Sequence, residues 1–68
     1  MFKVGNSVRY KDTTLKWMRE KPRGAIGKAR GKVISLQSPH GDKWIEVKWD
    51  SDKLTHRYDN IHQLVKVK

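Results

Sequence analysis

The sequence predicts an all-β fold: one small domain of about five short strands, with a long basic loop over residues 11–27 and one short helical turn near residues 59–63. Period-two recurrence of apolar residues, in short stretches separated by turn formers, carries the strand assignment. Length sets the domain count, because 68 residues enclose one hydrophobic core and leave nothing for a second, so residues 1–68 form a single domain. Apolar content of 35% lies below the globular average and points to modest stability, on the order of a few kcal/mol.

Phe2, Val4, Val8 and Tyr10 surround Gly5-Asn6, which predicts a bend and then a first strand near Ser7–Tyr10. The segment from Lys11 to Gly27 breaks the alternation. Leu15 and Met18 at i, i+3 permit a helical turn, while Pro22 and Gly24 stop a longer helix, so it reads as a partly ordered loop. Lys28–Leu36 reads as the second strand, with Ala29, Gly31 and Val33 on one face and Arg30, Lys32 and Ile34 on the other. Ser38-Pro39-His40-Gly41-Asp42 is a turn signal that closes it. Lys43–Trp49 is the clearest strand: Ile45, Val47 and Trp49 face inward, and Trp44, Glu46 and Lys48 face outward. Asp50-Ser51-Asp52-Lys53 suits a hairpin turn, and Leu54–Tyr58 follows as the partner strand. Asp59 or Asn60 then caps one helical turn, and Leu64–Val67 forms the last strand.

This order of elements resembles a small SH3-like barrel. The residues that carry the resemblance are the opening Val4-Gly5-Asn6-Ser7-Val8-Arg9, the glycine-punctuated stretch Gly24–Val33, and Val47-Lys48-Trp49-Asp50 followed by Tyr58, Ile61, Leu64 and Val67. The last stretch is similar to the ending of Tudor-like, KOW and Mib/HERC2-type domains. The resemblance implies a barrel architecture over nearly the whole chain, but not one function, since that superfamily holds nucleic-acid-binding modules, peptide readers and a plasmid-encoded dihydrofolate reductase. The reductase's pore-lining Val-Gln-Ile-Tyr would fall on Thr55-His56-Arg57-Tyr58, where only Tyr58 matches, so that activity is not expected.

Charge is distributed unevenly. Residues 1–32 hold ten Lys and Arg against Asp12 and Glu20, a net of +8, whereas residues 33–68 hold six basic and five acidic side chains, a net of +1. A field this lopsided attracts polyanions, although a solubilising surface is the plainer use of such charge. Lys16, Arg19, Lys21 and Arg23 in the loop, with Lys28, Arg30 and Lys32 along the second strand, are the candidate phosphate contacts. Such contacts position a nucleic acid without reading its sequence. Trp49 has core parity. For Trp17, set among the loop cations, and Trp44, on the outer face, two roles stand side by side: stacking on bases or internal packing.

Little supports catalysis. The chain has no Cys, so it has no disulfide, thiolate ligand or thiol nucleophile. His40, His56 and His62 show no metal-ligand spacing, and Asp50 and Asp52 suit a turn better than an acid/base pair. No cofactor and no metal is expected. Apolar runs never exceed two residues, so no membrane span or signal segment is expected, and the absence of Cys fits a cytoplasmic setting. The expected function is therefore a non-enzymatic nucleic-acid-binding module of low sequence specificity, for DNA or RNA, acting as a monomer or weak dimer. The alternative is a protein-interaction module: a Tudor-like peptide reader using Trp44, Trp49 and Tyr58 if Trp49 is exposed, or an accessory factor docked on an acidic protein surface.

Overall fold

The computed structural model describes residues 2–67. They form five strands, β1 (Ser7–Tyr10), β2 (Gly31–Ser35), β3 (Trp44–Trp49), β4 (His56–Asn60) and β5 (Leu64–Val67). Two short helices, α1 (Asp12–Trp17) and α2 (Ala25–Lys28), lie between β1 and β2, and a 3-10 turn, Ile61–Gln63, joins β4 to β5. All neighbouring strands pair antiparallel in the order β4-β3-β2-β1-β5. The sheet is not closed, because its two edge strands, β4 and β5, are consecutive in the chain without pairing. Among the described residues no helix is long and apolar enough to cross a membrane.

The inner face collects Val8 and Tyr10 from β1, Val33 from β2, Ile45, Val47 and Trp49 from β3 and Leu64 from β5, with Leu15, Ala29 and Leu54 closing the ends. Tyr10 and Trp49 stack with ring centroids 4.7 Å apart. Asp59 sits beneath them at 1% exposure: Tyr10 Oη donates to its Oδ1 at 2.6 Å, Trp49 Nε1 donates to its Oδ2 at 2.9 Å, and Arg57 Nε lies 3.3 Å from Oδ1. Two hydrogen-bond donors and the Arg57 charge satisfy the buried carboxylate, which makes its burial tolerable. Gly31 gives Trp49 room to cross β2, since a Cβ there would overlap Val47 Cγ1 and stand 3.0 Å from the Trp49 ring.

Several boundaries differ from the sequence reading, each for a local reason. The loop over residues 11–27 holds two helices. Leu15 buries itself in the core and holds α1 in place, while Asp12 in its first turn and Lys16 in its last complement the helix dipole. The helix ends in a Schellman motif, with Arg19 N–H donating to Lys16 O and Glu20 N–H to Leu15 O; Arg19 takes the left-handed position at φ 59. α2 forms because Gly27 has no side chain, which lets the Lys21-Pro22 backbone pack directly onto it. The second strand consequently starts at Gly31 rather than Lys28. It is interrupted by a register shift between Val33 and Ser35. The fourth strand starts at His56 rather than Leu54, because Leu54 turns inward within a tight loop closed by hydrogen bonds from Leu54 and Thr55 N–H to Ser51 O. Asn60, not Asp59, caps the 3-10 turn, accepting from His62 N–H at 2.9 Å.

Candidate nucleic-acid interface

The structure gathers eight of the nine sequence-selected residues at three places and leaves Lys28 apart, at the end of α2. The first is the end of α1 and the turn after it. Lys16 and Trp17 are its last two helical residues, Arg19 follows at the left-handed position, and Lys21 and Arg23 occupy the turn before α2; all five are exposed. Trp17 is 89% exposed, the largest exposure of any large apolar residue among the described residues, so the packing role that the sequence left open for it is not taken up. It borders a hollow of about 440 Å³ with Thr13, Thr14, Met18 and Gln63, and a second with Thr13 and Lys16.

The second place is the outer face of β2 and β3. Lys32 projects outward directly opposite Lys48, and His56 on β4 stands opposite Lys48 in turn. Arg30, Lys32 and Lys48 line one hollow of about 300 Å³ with Ser7 and Asp50. The expected stripe of Lys28, Arg30 and Lys32 along one strand does not form. Lys28 is the last residue of α2, and Arg30 lies in the link before β2, tied to Asp50 through its backbone N–H and carbonyl at 2.8 and 2.9 Å. The Arg30 guanidinium folds back, its Nη1 donating to Lys28 O and Ala29 O at 3.1 Å each, where it serves the unpaired carbonyls at the end of α2. Its other nitrogen atoms make no protein hydrogen bond among the described residues.

The third place surrounds Trp44, which is half-buried on the outer face. The His40 ring lies 6.0 Å from Trp44 and 5.2 Å from Tyr58, edge-on to the latter. On the same face, His56 Nε2 and Glu46 Oε2 are 2.5 Å apart. Trp49 is 5% exposed and donates to Asp59, so the exposure on which a peptide cage of Trp44, Trp49 and Tyr58 depends is not met.

Electrostatically, the described residues leave the candidate cations unneutralised. Their ion pairs are Arg9 with Asp12 and Arg57 with Asp59, Glu46 contacts the His56 ring, and none of these involves Lys16, Arg19, Lys21, Arg23, Lys28, Arg30 or Lys32. The sequence reading missed Lys48. Its outward parity was legible from the alternation in β3, but its place opposite Lys32 depends on strand register, which alternation does not encode. Comparison with family models, curated proteins and solved structures finds no match for this chain.

Proposed function

We propose that this chain is a non-enzymatic nucleic-acid-binding module on an SH3-like barrel scaffold. The scaffold reading is supported by the strand order and by the single 3-10 turn linking the two edge strands. The observation that carries the function is the set of seven exposed cations that have no carboxylate partner among the described residues, with the exposed Trp17 ring beside Lys16. Charges held apart from their own protein's carboxylates are available to release counterions from a phosphate backbone, whereas paired ones are not. Lys32 opposite Lys48 adds to this, because like charges facing each other across two strands cost stability unless an anion lies over them.

Binding on this reading is electrostatic, weakly sequence-specific and steeply salt-dependent. Titrating labelled DNA and RNA oligonucleotides, single- and double-stranded, at two salt concentrations tests it. The expected result is binding that weakens sharply with salt. Failure to bind any of them more tightly than about 100 μM at low salt overturns the proposal.

A further inference from the structure

We infer that the hollow beside Trp17 is a seat for one unstacked nucleobase, which makes the module selective for single-stranded over double-stranded nucleic acid; this rests on the nucleic-acid reading above. The Trp17 ring is almost wholly in solvent at 89% exposure, at the last position of a helix whose opposite side is fixed by buried Leu15. An indole with open ring surface on an anchored helix offers a stacking platform, and every base has a face to place on it. Bases inside a duplex already use both faces, so a duplex cannot occupy the platform without opening.

The hollow itself fits this ligand. Its volume of about 440 Å³ lies within the range of small-ligand sites, about 300–1,000 Å³. Met18 adds an apolar part to its lining, and the side chains of Thr13 and Gln63 bring polar groups that make no hydrogen bond among the described residues. Thr14, by contrast, spends its hydroxyl on Gln63 O at 3.2 Å and ties the two walls together. The charge of the rim complements a phosphate strand. Lys16 borders the adjoining hollow and Arg19 follows one residue past Met18, both without an ion pair among the described residues, while Asp12, the only carboxylate on α1, lies 3.6 Å from Arg9.

The test uses the intact chain, with fluorescence anisotropy of labelled oligo-dT, oligo-U and a blunt DNA hairpin closed by a non-nucleotide linker, so that it holds no unpaired base, at one fixed salt concentration. The expected result is that both single strands bind at least about 10-fold more tightly than the hairpin, the scale of one stacked base. Trp17→Ala abolishes that preference and brings single strands to the hairpin's affinity; Trp17→Phe, which keeps a ring, restores part of the preference. Equal affinity for strand and hairpin in the parent chain, or a preference that survives Trp17→Ala, overturns the base seat while leaving the polyanion reading standing. Absence of binding to all three probes overturns both. Because Trp17 is exposed, its removal leaves the core intact, and an unchanged melting temperature confirms that affinity alone has been altered.

Discussion

Tyr10 Oη donates a 2.6 Å hydrogen bond to Asp59 Oδ1 across 49 positions of sequence, joining the first strand to the fourth through the middle of the core. Burial, the hydrogen bond to Asp59 and the Asp59 charge all push the Tyr10 hydroxyl above its ordinary pKa of 10.0, with Arg57 opposing them more weakly. The raised folded value means that the neutral phenol stabilises the fold. That contribution is complete below pH 10 and declines above it, as the unfolded chain begins to release a proton that the folded chain retains.

Alkaline stability is therefore expected to fall above pH 10 by up to about 1.4 kcal/mol per pH unit from this residue. Tyr10→Phe should remove that component, leaving a shallower decline. Urea denaturation of both chains between pH 8 and 11 measures the difference, and parallel profiles would contradict the coupling.

Asp59 itself accepts from two buried donors, so removing it strands both. Asp59→Ala is expected to cost about 3–5 kcal/mol, comparable with the whole stability of a domain this size. Asp59→Asn keeps one acceptor oxygen and should fall between the two. Denaturant midpoints measure this series, and a loss below about 1 kcal/mol for the alanine variant would show that the carboxylate is not the core's organiser.

How much of this was legible in the sequence depends on where each element draws its stability. β1 and β5 lie where alternation places them, at Ser7–Tyr10 and Leu64–Val67, because each buries one face against the same core. α1 and α2 were not legible: a six-residue and a four-residue helix have no stability of their own, and tertiary contacts at Leu15 and Gly27 hold them. Leu54 misled the placement of β4, since an apolar residue packed inward from a turn reads like the start of a strand. In the candidate site, the exposure of the seven cations was legible from residue type, but the strand stripe expected of Lys28, Arg30 and Lys32 was not what formed. Their division into a helical group and a sheet group, and the folding back of Arg30, follow from contacts between residues distant in sequence.

Arg19 occupies a left-handed backbone position, φ 59, that glycine fills at less cost. Arg19→Gly is expected to stabilise the fold by up to about 1 kcal/mol, the left-handed penalty of a side-chain-bearing residue. The same change should weaken nucleic-acid binding and lower the salt dependence, the slope of log affinity against log salt, by about 1. Thermal melts and salt titrations read the two effects separately. A gain in stability with unchanged affinity would exclude Arg19 from the interface.

Lys48 gives the sharpest separation of stability from binding. It faces Lys32 across β2 and β3, so Lys48→Glu converts a repulsive pair into an attractive one and should stabilise the sheet by about 0.2–1 kcal/mol. It also removes one cation from the outer face and partners another, so the salt slope should fall by about 2. Lys53→Glu makes the same change in net charge from the exposed β3–β4 turn, outside the hollow that Lys32 and Lys48 share. Lys53→Glu is expected to reduce affinity far less. Equal losses in the two variants would mean that net charge alone governs binding and that the sheet face has no special part in it.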